Sequence, residues 1–308
     1  MSKIAAVFPG QGSQFVGMGK DFYETYESFK DIVLEANKIL KYDLSKLMFD
    51  GPEEELRLTY NTQPALLLMS IGIYNLIKDK ISFDGFAGHS LGEYSAVVAA
   101  GGLDFKDALL AVHNRGKFMQ EAVPVGVGAM GAVIGANFAD VERLCEEVSS
   151  EGCLVEPANY NSSNQIVIAG HAEAVDKFIE KASEIGAKRV VKLPVSAPFH
   201  CALMKPAEEK MGVYLDGVKF NDLIKPVYAN VTAEPELKGE EVKLNLIKQV
   251  SAPVRWSQLI ERMIEDGFTT FIEIGAGNVL TGLIKKINRQ VKTINISTID
   301  DLNKLEEL

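Results

Sequence analysis

Residues 88–102 read GHSLGEYSAVVAAGG, and what is made of Gly88-His89-Ser90-Leu91-Gly92 decides the fold. The pentapeptide fits the G-x-S-x-G pattern of a nucleophile elbow, a sharp strand-to-helix turn that pushes a serine hydroxyl out of the backbone. Glycine on either side removes side chains that would collide with the neighbouring strand or helix. The flanks agree with this reading. Residues 81–87 form a short, mostly apolar segment of strand length. Residues 91–100 are good helix formers that stop at Gly101-Gly102. Ser90 would then stand at a helix N-terminus, where free N–H groups and the helix dipole favour negative charge. An oxyanion on an acyl group at Ser90 would meet the Leu91 N–H. The pattern predicts acyl transfer, against the alternative of an ordinary corner that happens to contain serine.

Working outward, strand-like and helical runs alternate along the 308 residues, the mark of an α/β protein. Residues 4–8 read as a buried first strand ending in Pro9-Gly10-Gln11-Gly12. Helical spacing covers 21–40, and a second helix at 63–78 is apolar nearly all round, hence buried. Between turn-rich edges at 123–128 and 194–198 the order changes to strand, helix, strand, strand, helix, strand. The strands fall at 129–134, 154–155, 165–169 and 189–193. This is a split βαβ, ferredoxin-like arrangement, which predicts an inserted subdomain at 126–195 within a larger α/β domain of 1–125 and 196–308. Strands at 226–230, 270–274 and 292–297 complete the larger domain. Gly10-Gln11-Gly12 and Gly275-Ala276-Gly277 do not complete a dinucleotide-binding G-x-G-x-x-G.

Composition is that of an ordinary globular chain, with 47% hydrophobic and 24% charged residues. No apolar run approaches the roughly 18 residues of a membrane span, and the first residues are too short in apolar content for a secretory signal. A cytoplasmic location and no membrane partner are expected. The net charge of −10 argues against nucleic-acid binding and leaves an anionic substrate in need of a local cation. Lys285, Lys286 and Arg289, placed on one last helix, offer such a patch or equally a solvated face. Cys145, Cys153 and Cys201 have no metal-ligand spacing, so no metal is expected. Cys201 reads as a buried thiol, since it points away from its neighbour His200 on an extended strand. Of four histidines, His113 and His171 sit where structural histidines sit, and His89 is badly aimed. His200, in a proline-containing loop before a helix, is the candidate base.

The chain further carries FPGQGSQ at 8–14, TQPALL at 62–67, RGKFMQEAVP at 115–124, NSSNQIVIAG at 161–170, HCALMKPA at 200–207, PVRW at 253–256 and GAGNVLTGL at 275–283. Together with the elbow, these resemble the malonyl-CoA:acyl carrier protein transacylases of type II fatty acid synthesis over nearly the whole length. The resemblance implies an α/β-hydrolase-like large domain with a ferredoxin-like insert. It also implies ping-pong transfer of a malonyl group from malonyl-CoA, through Ser90, to the phosphopantetheine thiol of an acyl carrier protein. Coenzyme A would arrive as part of the substrate, with no cofactor.

By the same resemblance, His200 takes the serine's proton and the backbone carbonyl of Gln249 orients the ring. The N–H groups of Gln11 and Leu91 form the oxyanion hole, and Arg115 holds the malonyl carboxylate in a bidentate fork. Phe199 and Asn159 line the acyl site, Phe199 limiting bulk. Gln63 and Asn159 read equally as loop hydrogen-bonders. Many relatives have GPGKVL where this chain has GAGNVL at 275–280, so a lysine is lost at that turn. The rival readings are an acyltransferase serving a polyketide synthase, an acyl hydrolase on the same fold, and a non-catalytic scaffold for a carrier protein.

Overall fold

The computed structural model describes residues 3–195 and 197–307. Its strands, in chain order, are β1 (Lys3–Phe8), β2 (Gly85–Gly88), β3 (Gly128–Ile134), β4 (Val155–Ser162), β5 (Gln165–His171), β6 (Arg189–Lys192), β7 (Val227–Tyr228), β8 (Pro235–Glu236), β9 (Phe268–Ile274) and β10 (Lys292–Ile296). They fall into two sheets. The larger has the order β10-β9-β1-β2-β7-β8 and is parallel except for the β7–β8 edge. Helices cover both faces, so its central strands are apolar throughout, as parallel strands buried on two sides must be. In β1, residues Ala5, Ala6, Val7 and Phe8 are all without solvent contact.

The smaller sheet, order β4-β5-β3-β6, is wholly antiparallel. With the helices Phe138–Val148 and Ala172–Lys181 between its strands, it has the ferredoxin-like topology. The fold is therefore a large α/β domain carrying a ferredoxin-like insert. On this topology we propose the expected partition, 126–195 within 1–125 and 196–308. Its boundary residue Ser196 and the ends Met1, Ser2 and Leu308 lie outside the described residues. One face of the insert packs into the core of the larger unit through Met130, Ala132, Ala158, Val167 and Ala169. At its edge, Tyr160 and Val254 exchange backbone bonds with their surroundings: Tyr160 N–H donates to the Val254 carbonyl and Val254 N–H to that of Ala158.

Several elements differ from the sequence reading. The helix expected over 21–40 is two, Lys20–Thr25 and Glu27–Leu40, broken at the extended residue Tyr26 where Phe22, Tyr26 and Phe29 cluster. The buried helix starts at Thr59, before Pro64 rather than with it. Proline has no N–H for the carbonyl four residues earlier. That carbonyl, on Tyr60, lies 2.8 Å from His113 Nδ1 instead, which gives His113 its structural place. The strand expected at 81–87 pairs only over Gly85–Gly88. β4 runs on through Asn159, Tyr160 and Asn161, polar residues that hide their strand character from hydropathy. β7 stops at Tyr228 because Asn230 turns off to bond the elbow.

β1 and β2 are neighbours, and both deliver loops at their carboxyl ends: Pro9-Gly10-Gln11 from one and His89-Ser90 from the other. The crevice beyond the strand ends of an open parallel sheet is where ligands are received. The two loops touch so closely that no side chain fits between them. A Cβ on Gly88 would lie 1.9 Å from the Gly92 carbonyl carbon, and one on Gly92 would lie 2.1 Å from the Phe8 oxygen.

Candidate active site

Ser90 follows β2 directly and precedes the helix Gly92–Ala99, as an elbow requires. Its φ is +52°, in the left-handed region. That conformation costs a non-glycine residue about 1–2 kcal/mol, so the surroundings must impose it. They grip the residue from both sides. Asn230 accepts the Ser90 N–H at 2.7 Å through Oδ1 and donates to the Gly88 carbonyl at 2.7 Å through Nδ2. The Gln249 side-chain amide donates to the Ser90 carbonyl at 2.9 Å.

The Ser90 hydroxyl lies 2.7 Å from His200 Nε2. His200 also has a positive φ, +60°, and its Nδ1 lies 2.8 Å from the Gln249 backbone carbonyl. A carbonyl only accepts, so Nδ1 carries the hydrogen and Nε2 turns its lone pair to the serine. The ring is 4% exposed. Burial first, then the nearby Arg115 charge, push its pKa down to about 3, so the imidazole stands neutral and ready to take a proton.

Arg115 comes from the middle of the helix Phe105–Glu121 and is 1% exposed. Gly116, beside it, lets this helix lie against the start of the Thr59–Ile77 helix; a Cβ there would lie 2.6 Å from Tyr60 Cα. That contact brings Gln63 within reach of the guanidinium, whose Nη1 donates to Gln63 Oε1 at 3.0 Å. Nη2 donates to Gln249 Oε1 at 2.8 Å and to the Ser90 hydroxyl at 3.2 Å. The Tyr94 ring lies 5.8 Å from the guanidinium carbon. Nε has no partner among the described residues. A buried guanidinium with no carboxylate in an ion pair with it among the described residues is suited to an incoming anion.

These groups line a cavity of about 100 Å³ together with Gln11, Leu91, Met119, Met130, Asn159 and Phe199. Gln11, His89, Asn159, Leu193 and Val195 also line a wider cleft of about 440 Å³ between the two sheets. A small chamber thus adjoins a wider cleft and shares its walls. The N–H groups of Gln11 and Leu91 meet no backbone or side-chain acceptor among the described residues, so both are open to a negatively charged oxygen. Phe199 and Asn159 are each 7% exposed. Gln63 and Asn159 are not loop residues: the first stands on the Thr59–Ile77 helix and the second in β4.

The structure brings Ser90, His200, Arg115, Gln249, Gln11, Leu91, Phe199 and Asn159 together, and keeps the basic residues apart from them. Lys285 and Lys286 are exposed on the helix Val279–Ile287, but Arg289 lies beyond its end rather than on it. The helix faces the cleft with Val279, Leu280 and Leu283. The cation on the cleft wall is Arg57, 2.6 Å from Glu53, which the sequence did not single out. Cys201 is buried, with its thiol 3.1 Å from the Pro198 carbonyl and its pKa pushed up to about 12 by burial. Among the described residues no group of three His, Cys, Asp or Glu side chains could hold a metal, and no helix is long and apolar enough to cross a membrane.

Of the neighbours of Ser90, His89 was set aside as a base and indeed points elsewhere, while Asn230 and Glu93 escaped sequence reasoning. His89 has its Nε2 2.8 Å from Asn161 Oδ1. Asn230 and Glu93 lie behind the elbow, and only Glu93 carried a signal, as the fourth residue of the helix-start pattern S-x-x-E at 90–93.

An elbow serine with a neutral histidine on its hydroxyl, a free N–H at its helix start and another on the neighbouring loop is the site of an acyl transferase. The chain belongs to the acyl transferase domain family, whose model matches residues 6–302. It is 51% identical over 298 residues to the malonyl CoA-acyl carrier protein transacylase of Bacillus subtilis, covering 96% of this chain and 94% of that one. Among solved structures it resembles an acyl carrier protein S-malonyltransferase from Vibrio cholerae, with TM-score 0.96 and 44% identity over 99% of this chain and all of that one. A malonyl-transacylase in complex with its type II PKS acyl-carrier protein matches with TM-score 0.97 and 44% identity, each chain covered in full.

Proposed function

We propose that the chain is a malonyl-CoA:acyl carrier protein transacylase of fatty acid biosynthesis. The observation that carries this reading is the cavity wall on which Ser90 Oγ meets both His200 Nε2, at 2.7 Å, and the buried guanidinium of Arg115, at 3.2 Å. A nucleophile is thereby set beside a fixed cation, and the acyl group it serves is one that ends in a carboxylate. Full-length similarity to transacylases and to a structure holding an acyl carrier protein supports the same substrates.

In this reading malonyl-CoA extends along the cleft, with its thioester at Ser90 and its free carboxylate against Arg115. The hydroxyl proton passes to His200 Nε2 as Oγ bonds to the carbonyl carbon. The oxygen of the tetrahedral adduct takes its negative charge to the Gln11 and Leu91 N–H groups. The adduct collapses as the C–S bond breaks, and His200 returns the proton to the departing coenzyme A sulfur. The phosphopantetheine thiol of the carrier protein then runs the same steps in reverse. Gln249 holds the imidazole by its carbonyl, so no triad carboxylate is called for. The transfer as written draws on no cofactor. We place the protein in the cytoplasm, alongside the carrier protein.

Intact-protein mass after mixing with malonyl-CoA tests the proposal. One malonyl group is expected on the wild type, discharged by holo carrier protein and absent from Ser90→Ala. Release of free malonate with no gain by the carrier protein would make the chain a hydrolase instead.

A further inference from the structure

Behind the elbow lies a carboxyl group that touches none of the reacting atoms. Glu93, in the first turn of the Gly92–Ala99 helix, has no solvent contact. In the pattern S-x-x-E at a helix start, the glutamate ordinarily reaches back to the N–H of the serine and the serine caps the helix. Here both members are diverted. The Ser90 hydroxyl is turned to His200, and the Ser90 N–H is taken by Asn230 Oδ1. Glu93 turns the other way, its Oε2 accepting the Asn230 backbone N–H at 2.9 Å and the Gln249 side-chain amide at 2.8 Å.

The residues it holds are the two that grip Ser90. Asn230 bonds the chain on both sides of His89, at the Gly88 carbonyl and the Ser90 N–H. Gln249 touches all three groups of the proposed mechanism: the Ser90 carbonyl by its amide, Arg115 by its side-chain oxygen and His200 by its backbone carbonyl. One oxygen atom is thus shared by the supports of the nucleophile, the base and the cation.

We propose that Glu93 is a positioning residue for acylation: its Oε2 fixes Asn230 and Gln249 in the places from which they hold Ser90 in its left-handed turn, His200 in its tautomer and Arg115 at the serine. The inference rests on Ser90 being the acylated residue.

The protonation of Glu93 follows from what faces it. Glu236 on β8 is also buried, and Glu93 Oε1 and Glu236 Oε1 both lack a partner among the described residues. The other groups around Glu93 are Arg115 and Tyr94, with the amides of Asn230 and Gln249, while Glu236 faces Glu241 and bonds Asn245. Burial foremost, and for Glu93 then Glu236, push both carboxyls above the usual range, so the pair retains a proton under conditions where exposed carboxylates have lost theirs. Raising the pH until that proton leaves sets two carboxylates against each other behind the elbow.

Two variants separate the acceptor from the charge. Glu93→Met keeps a similar volume and removes the acceptor; Glu93→Gln keeps an acceptor oxygen and mimics the protonated acid. Single-turnover acylation by malonyl-CoA is followed by mass against pH, with thermal melting to verify folding. Glu93→Met is expected to acylate about 10²-fold more slowly, the scale for a reacting group displaced by about 1 Å. Glu93→Gln is expected to keep most of the rate at neutral pH and to lose the alkaline fall of the wild type. A folded Glu93→Met that acylates at the wild-type rate, or a Glu93→Gln as slow as Glu93→Met, overturns the inference. Should Glu93→Met not fold, a Glu93→Gln profile with the wild-type alkaline fall intact overturns it. A wild type that never takes up malonyl overturns the functional reading as well.

Discussion

Arg115→Ala is the substitution whose effect follows most directly from the geometry. Three of the guanidinium's five N–H groups are occupied, by Gln63, Gln249 and Ser90, and the Nη2 bond to Ser90 brings the charge to the reacting atom at the cavity wall. A malonyl carboxylate in the chamber gives up hydration and needs that fixed cation. Removing the partner of a buried charge costs about 2–5 kcal/mol. The chamber shares walls with the wider cleft, so water can enter beside a truncated side chain. The low end of that range, about 2–3 kcal/mol, therefore applies, or about 30- to 150-fold in acylation rate. Single-turnover acylation with malonyl-CoA and with acetyl-CoA, each read by intact mass, measures it. Acetyl-CoA has no carboxylate to strand, so its slower reaction is expected to be unchanged or faster. Equal losses for both substrates, with normal melting, would refute the reasoning and make Arg115 a support for Gln63 and Gln249 rather than a reader of the acid. Arg115→Lys adds a control: a point charge cannot serve two amides and a carboxylate together, so malonyl is expected to suffer more than acetyl there too.

Other expectations can be checked alongside. His200→Ala is expected to slow acylation by about 10²–10⁴-fold, measured by single turnover; an unchanged rate removes it from the mechanism. Because the His200 pKa is depressed in the folded chain, the ring stays a base well below its usual range, and no acid-side inflection near 6.5 is expected in the pH profile of acylation. The same depression ties stability to pH. Its contribution is complete above 6.5 and is lost as pH falls from there toward about 3, where the unfolded chain takes up a proton that the folded chain refuses. Urea melts of wild type and His200→Ala compared at pH 7 and pH 5 detect it as a smaller acid loss in the variant. Charge reversal at Lys285 and Lys286, which are exposed and outside the cleft, is expected to raise KM for an acidic carrier protein, more at low salt, and to spare acylation by malonyl-CoA. Equal harm to both half-reactions would argue against docking there.

The parts of this site that could be read from sequence are those held by local chemistry. The elbow is complete within five residues, and its glycines declare the close approach that the fold requires. His200 could be chosen from four histidines because a loop at the end of an element is where a catalytic group is free to point. The ferredoxin-like order was visible because its strands and helices switch period clearly. Where polar residues lie within an element, the pattern failed: β4 was cut short because Asn159 and Asn161 do not look like strand, and the buried helix was started only at Gln63, which read equally as a loop hydrogen-bonder beside a proline. Gln249 was reached through family resemblance alone. Asn230 was not reached at all, because its part is defined by the elbow, 140 residues away in the chain. The basic residues were legible as charges but not as neighbours, and the end of the last helix at Ile287 separates Arg289 from the other two.

Ser90 and His200 both stand at positive φ, in company among the described non-glycine residues only with Lys41 and Ala233. The bond between the proposed nucleophile and its proposed base therefore spans two residues that the backbone would rather see replaced. Each costs about 1–2 kcal/mol, a sizeable share of the 5–15 kcal/mol by which domains usually stay folded. Were heat tolerance the only quality selected, glycine or asparagine would accumulate at these positions first, and the hardier descendants would be inert. Thermal screening of random variants without an activity filter would thus enrich for dead protein, and consensus repair of this chain is best aimed at positions such as Lys41 that share the conformation without sharing the chemistry.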